Sequence, residues 1–258
     1  MDTMSPPVSR PVRRAPLPLA LSSREREQLA ASEVQPLHEA RNATKARVGL
    51  VEWPLQSGNR LVIKDGSKRA TWFRVSIGRY QLAREWKALG FLNGMDGVPR
   101  PLFRAGADAF GMEQCPGEPL LRFAPGELPV CAVEALEKLV EELHARGVTH
   151  GDLHRDNILF DVQSGQIWLI DWATSCVFGL VRHGWKAWMW REWRALDGRA
   201  VAKIKARYAP ELLRPDERTL LDGGGTPLSR VVRSVGSLFK RRKNGREARV
   251  TPSSHASA

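Results

Sequence analysis

The chain has 258 residues, 42% hydrophobic and 7% aromatic, with 40 Lys and Arg against 28 Asp and Glu for a formal charge of +12. That composition supports a buried core in one large domain or two small lobes. Its apolar runs fall far short of the roughly 20 residues that a spanning helix needs, and Cys115, Cys131 and Cys176 form no C-x-x-C pair, which excludes a disulfide or zinc framework and fits a reducing, cytoplasmic setting.

The charge is concentrated at the two ends. In residues 1–24 Arg10, Arg13, Arg14 and Arg24 face only Asp2, and five prolines fall within the first 18 residues, so 1–34 reads as a disordered basic arm. Residues 230–258 carry eight cations against Glu247, and the stretch between the two ends is nearly balanced. Gly223-Gly-Gly225 marks the linker that opens the final segment, 223–258.

In chain order, Val48–Trp53 and Leu61–Lys64 are two β-branched runs around Ser57-Gly-Asn59, a predicted hairpin. From Ile77 to about Leu89 the period becomes helical, with Leu82, Trp86 and Leu89 on one stripe and Gly90 as the expected stop. A strand is predicted over Ala109–Glu113. Pro129 then opens a long helix with Val133, Leu136, Val140 and Leu143 in register and Gly147 just past its end. Short strands follow at Ile158–Phe160 and Ile167–Ile170, and helix is predicted from there to about Tyr208. Strands with one helix first and helices later predict an α+β fold, with a sheet-rich N-lobe over 35–114 and a helical C-lobe over 115–222.

The most specific motif is His150-Gly-Asp-Leu-His-Arg-Asp-Asn157, directly after a helix and directly before an apolar strand. It matches the H-x-D-L-x-x-x-N catalytic loop of protein-kinase-like phosphotransferases, with Gly151 where protein kinases have Arg. Asp152 would accept or orient the proton of an acceptor hydroxyl, and Asn157 would turn a neutral oxygen to a phosphate-bridging metal ion. The rival readings are a zinc site made of His144, His150, Asp152 and His154, or a polar turn.

Asp171 follows the apolar run Ile167–Ile170, where a Mg-binding carboxylate should leave a strand end. The sequence there is Asp171-Trp172-Ala173, so the carboxylate of D-F-G is present and its glycine is not. Lys64 ends an otherwise apolar strand, and Glu85 shares the stripe of Leu82, Trp86 and Leu89. A carboxylate on an apolar stripe requires a cation, and Lys64 is the nearest upstream candidate on a core strand. The alternative is an edge lysine and a snorkelling surface glutamate.

Leu61-Val-Ile-Lys-Asp65, Gly78–Glu85, Gly97-Val-Pro-Arg-Pro101, His150–Asn157, Ile170-Asp-Trp172 and Lys203–Pro210 together resemble the bacterial RIO-like and lipopolysaccharide-core sugar kinases over about 35–222. The resemblance implies a bilobal protein-kinase-like fold and transfer of the ATP γ-phosphate to a hydroxyl with Mg2+. It also implies a hinge at Glu113 and Cys115, where backbone groups meet adenine. Three departures stand out. No G-x-G-x-x-G precedes Lys64, no A-P-E follows Asp171, and His150-Gly151 replaces His-Arg.

Trp185, Trp188, Trp190 and Trp193 crowd into nine residues with Arg182, Lys186, Arg191 and Arg194 among or beside them. They read either as a core stripe or as an interfacial helix over 185–194 with indoles at headgroup depth. Leu228, Val231, Val232, Val235, Leu238 and Phe239 form a second apolar stripe that runs into Lys240-Arg-Arg-Lys243. So regular a stripe favours an anionic membrane surface over nucleic acid as the partner of 227–243. The predicted function is an ATP- and Mg-dependent kinase on the inner face of the cytoplasmic membrane, acting on a glycolipid hydroxyl such as that of a lipopolysaccharide core sugar. The alternatives are a RIO-type Ser/Thr protein kinase and a pseudokinase binding module, the latter favoured by the missing glycine-rich loop.

Overall fold

The computed structural model describes residues 19–20, 23–24, 27, 35–38, 46–52, 60–67, 78–180 and 183–222. The turn at 57–59, the linker at 223–225 and the basic stripe over 227–243 lie outside these residues. Two compact units make up the chain: Met1–Pro116 with Trp168–Ala173, and Gly117–Ile167 with Thr174–Ala258.

The first unit contains β1 (Leu19–Ala20), β2 (Gln35–His38), β3 (Arg47–Glu52), β4 (Arg60–Asp65), α1 (Arg79–Phe91), β5 (Pro101–Arg104) and β6 (Ala109–Glu113). Among the described residues these strands form one sheet in the order β1-β5-β6-β4-β3-β2. β3 and β4 pair antiparallel with Val48 opposite Lys64, which is the hairpin expected from the β-branched runs. Leu19 and Ala20, within the proline-rich arm, pair in parallel with Phe103 and Arg104. β4 lies between β3 and β6, so its side chains from Leu61 to Lys64 are buried. Val51, Leu61, Ile63 and Phe103 form a core cluster on this sheet. α1 buries Leu82, Glu85, Ala88 and Leu89, the face that its periodicity marks. Gly90 does not stop this helix: the chain stays helical through Phe91, and the cap is the Leu92 N–H on Ala88 O.

The second unit contains β7 (Glu118–Pro119), α2 (Val130–Ala145), β8 (Val148–Thr149), β9 (Ile158–Asp161), the first two residues of β10 (Gln166–Leu169), whose last two belong to the first unit, β11 (Cys176–Val177), α3 (Trp185–Tyr208) and α4 (Pro215–Asp222). α2 buries Val133, Leu136, Val140 and Leu143, and Gly147 follows at φ 75, a backbone angle that side chains disfavour. β8 pairs with β11 in a short ribbon, and the catalytic-loop sequence lies between β8 and β9. Helix does not run unbroken from Asp171 to Tyr208. A 3-10 turn at Trp172–Thr174 and β11 intervene, and Gly179 (φ 74) and Gly184 (φ 54) delay the helix to Trp185. Lys205 of α3, 0% exposed, is held by Glu137 of α2 at 2.6 Å and Glu217 of α4 at 2.9 Å, an ionic tie among three helices.

Candidate active site

In the first unit, Lys64 and Glu85 meet at 2.6 Å (Nζ to Oε1), with Glu85 only 1% exposed. β4 supplies a buried lysine, and α1 supplies the carboxylate that neutralises it. Asp171 Oδ1 also accepts from Lys64 Nζ at 3.0 Å. Burial by itself would lower the affinity of Lys64 for its proton, but Glu85 and Asp171 outweigh it and raise the pKa. The lysine is a permanent cation.

Asp171 has φ 62, the one positive φ at a non-glycine among the described residues. The strained angle turns the chain sharply at the end of β10 and presents the carboxylate to Lys64. The next residue, Trp172, is fully buried, donates its backbone N–H to Glu85 Oε1 at 3.1 Å and anchors its indole on Leu169 O at 2.9 Å. The motif's phenylalanine position thus holds a fixed indole, and Ala173 stands in the place of its glycine.

Glu113 ends β6. Its N–H donates to Arg100 O at 2.9 Å, and its carboxylate accepts the Arg100 N–H at 3.1 Å. Cys115 is half-buried; burial first, and the Glu113 charge second, push its thiol pKa up, so it stays protonated.

In the second unit, the catalytic-loop sequence is pinned by Asp197, a fully buried residue of α3. Asp197 Oδ2 accepts the His150 N–H and Oδ1 the Gly151 N–H, each at 2.8 Å, and His144 Nε2 lies 3.2 Å from Oδ2. Gly151 has φ 80, and a Cβ there would collide with the Trp193 ring and lie 3.0 Å from Thr174 O. Glycine replaces arginine at this position because the space is filled.

The Asp152 carboxylate is 46% exposed on a backbone held from both sides. Asn157 Nδ2 donates to Asp152 O at 2.9 Å, which leaves the amide oxygen as the end that could face a cation. Asp171 and Asn157 are both hard oxygen donors, the ligand type that suits Mg2+. Among the described residues no group of three His, Cys, Asp or Glu is arranged to hold a metal ion. His144, one of the residues weighed as a zinc ligand, instead faces Asp197.

Sequence reasoning did not single out Asp197, His144 as its neighbour, or the Trp172 N–H. An aspartate in the middle of a helix carries no local mark of the backbone donors that it will receive. The four-tryptophan cluster divides: Trp190 is buried against Phe178 and His144, and Trp193 packs at Gly151, while Trp185 and Trp188 are 67% and 47% exposed. Among the described residues no helix is long and apolar enough to cross a membrane.

No curated protein matches the chain. Among solved structures, a kinase, PK-1, of the Cydia pomonella granulovirus is similar at a TM-score of 0.50 and 15% identity, over 71% of this chain and 70% of that one. That likeness concerns the fold, which is bilobal and protein-kinase-like. The model of the APH phosphotransferase enzyme family matches residues 86–219, a span that starts just after Glu85 and contains Asp152, Asn157, Asp171 and Asp197. With half of its length matched and a catalytic-loop sequence held on Asp197, the chain belongs to this phosphotransferase family and is a kinase-type enzyme.

Proposed function

We propose that this phosphotransferase moves the γ-phosphate of ATP to a hydroxyl of a membrane-associated glycolipid, of which a lipopolysaccharide core sugar is the type. The observation that carries the phosphotransfer reading is the buried Lys64, oriented by Glu85 at 2.6 Å and carrying a second carboxylate, Asp171, at 3.0 Å. A fixed cation beside a metal-type carboxylate is the arrangement that nucleotide phosphates require.

In this reading Lys64 binds and orients the phosphates. Asp171 and Asn157 are the residues that would hold Mg2+, and the ion would supply neutralising charge for the phosphate oxygens. Asp152 takes the acceptor's hydroxyl proton as the acceptor oxygen bonds to phosphorus and the bond from phosphorus to the β-γ bridging oxygen breaks, so that ADP leaves with that electron pair. The Glu113 N–H is committed to Arg100, so adenine recognition by a backbone donor falls to Cys115.

The acceptor class rests on two features. Gly151 leaves no space for the arginine that reads a phosphorylated activation loop, which favours a small or lipid-linked acceptor over a regulated protein substrate. Trp185 and Trp188 stand exposed on α3 with Lys186 at 6.0 Å from the Trp185 ring, a pairing of indole and cation that suits lipid headgroups.

The test is phosphate transfer from labelled ATP to extracted glycolipid and, in parallel, to a casein-like protein. Asp152→Ala should lower transfer by about 10² to 10⁴. Equal rates in wild type and variant would remove Asp152 from the chemistry, and label on protein alone would assign the acceptor to the Ser/Thr protein-kinase reading.

A further inference from the structure

The catalytic-loop sequence contains two His-x-Asp turns in series, His150-Gly-Asp152 and His154-Arg-Asp156. In each, the ring Nδ1 of the histidine accepts the backbone N–H of the aspartate two residues on, at 3.4 Å for His150 and 3.2 Å for His154. A ring nitrogen that accepts an N–H presents its lone pair, so the proton of a neutral imidazole sits on the opposite nitrogen, Nε2. The two turns thus select the same tautomer. Their surroundings differ: His150 is fully buried, whereas the His154 ring is 42% exposed beside the Asp152 carboxylate.

His154 Nε2 lies 3.7 Å from Asp152 Oδ2. The Asp156 carboxylate, also 3.7 Å from the ring, is on the Nδ1 side, where the lone pair is already engaged by the Asp156 N–H. Asp152 is the carboxylate on the donor side. A separation of 3.7 Å is too long for a hydrogen bond, but hydrogen bonds in catalytic sites are often long before substrate binds and tighten in the complex.

We propose that His154 is a positioning residue, whose Nε2–H holds Asp152 Oδ2 and so leaves Oδ1 to receive the acceptor hydroxyl. This rests on the reading of Asp152 as the carboxylate that takes the acceptor's proton. The balance of the step is unchanged: the hydroxyl proton moves to Asp152 Oδ1, the oxygen bonds to phosphorus, ADP departs, and His154 keeps its proton throughout. Without the Nε2–H the carboxylate rotates freely at a half-exposed site, and a smaller fraction of its orientations is productive.

Two conservative substitutions separate this role from a structural one. Asn at 154 places an acceptor oxygen near the position of Nδ1, so it keeps the turn and loses the outer donor. Gln reaches the position of Nε2 with an amide N–H, so it restores that donor. In the full chain, with ATP, Mg2+ and water as the acceptor, His154→Asn should lower kcat by about 10-fold to 100-fold, the range for a lost hydrogen bond to a charged group, with KM for ATP within about twofold. His154→Gln should stay within about threefold of wild type. Full activity in the Asn variant, or equal loss in both, overturns the proposal.

A measurement independent of turnover is long-range 1H–15N correlation of the six histidines, with His154 assigned by its Gln variant. The Nε2–H tautomer is expected, with a resonance that moves in Asp152→Asn; an Nδ1–H tautomer, or no movement, overturns the contact. If Asp152→Ala leaves ATP turnover unchanged, the phosphotransfer role of Asp152 falls, and the resonance experiment still decides whether His154 holds that carboxylate.

Discussion

The Trp172 backbone N–H donates to Glu85 Oε1 at 3.1 Å, the same oxygen that receives Lys64 Nζ at 2.6 Å. One buried carboxylate oxygen therefore ties α1 both to the lysine of β4 and to the residue after Asp171. A glycine in this stretch would let it swing; a fully buried indole anchored on Leu169 O does not.

Removing either partner of this buried pair strands the other charge. Glu85→Ala should destabilise the protein by about 3–5 kcal/mol, read from urea midpoints, and Lys64→Met should abolish ATP turnover. Glu85 and Asp171 raise the pKa of Lys64 above its unfolded value. Its stabilisation is therefore complete below the unfolded pKa of about 10.4 and is lost only as pH rises through the folded value. Lys64 should therefore add no slope to the wild-type unfolding free energy in urea from pH 6 to 9, whereas in Lys64→Met the buried Glu85, which burial already holds above the usual carboxylate range, loses its cation and should make the variant less stable as pH rises.

Acid should act instead on the tie at Lys205. Glu137 is partly buried, which opposes ionisation, but hydrogen bonds and charge from Lys205 and Arg214 prevail and lower its pKa. A depressed carboxylate contributes stability above its unfolded value, about 4.3, and loses it as pH falls through the folded value. Glu137→Gln should remove that acid-side slope, and Lys205→Met, which takes from the buried Glu217 one of its two cations and leaves it Arg214 alone, should lower the melting temperature more than Glu137→Gln does. Thermal melts of the two variants between pH 3 and 7 check both.

The loop that carries Asp152 depends on a buried acceptor and on an absent Cβ. Asp197→Asn replaces an oxygen that accepts a backbone N–H with an amide group that cannot accept, and should lower kcat by about 10-fold to 100-fold with little change in KM for ATP. Gly151→Arg, which installs the protein-kinase residue, must displace the Trp193 ring at a φ of 80. It should reduce soluble yield and melting temperature, whereas Gly126→Ala, with nothing within 4 Å of its Cβ though at φ 89, should cost only its backbone strain.

Membrane binding should require both basic elements. With vesicles containing anionic lipid, Trp185→Ala combined with Trp188→Ala should weaken binding by about tenfold or more, and deletion of 227–258 should release the protein while ATP hydrolysis continues. Undiminished sedimentation of both variants with vesicles would end the membrane reading.

Much of the first unit was legible because its signals are local. Alternating β-branched residues marked β3 and β4, and a 3.6-residue period marked α1. A glutamate on that apolar face called for a cation, and Lys64 is the cation found there. The tryptophan cluster was ambiguous for the opposite reason. Helical spacing makes four indoles neighbours but does not say which will be covered, and packing buried Trp190 while leaving Trp185 exposed.

The order of chemical groups, Lys64, Glu85, Asp152, Asn157 and Asp171, together with the elements that carry them, was determined by the sequence alone, since each follows from short-range pattern and residue type. What holds the catalytic-loop sequence was decided only by the tertiary structure. Asp197 binds backbone N–H groups of His150 and Gly151, 47 and 46 residues away. Every residue but proline has such an N–H, so no side chain announces it. The same holds for Trp172 on Glu85, and for the turn in which the Asp156 N–H holds the His154 ring beside Asp152: the side chains can be read in the sequence, but the backbone donors that orient them take their positions only when the chain folds.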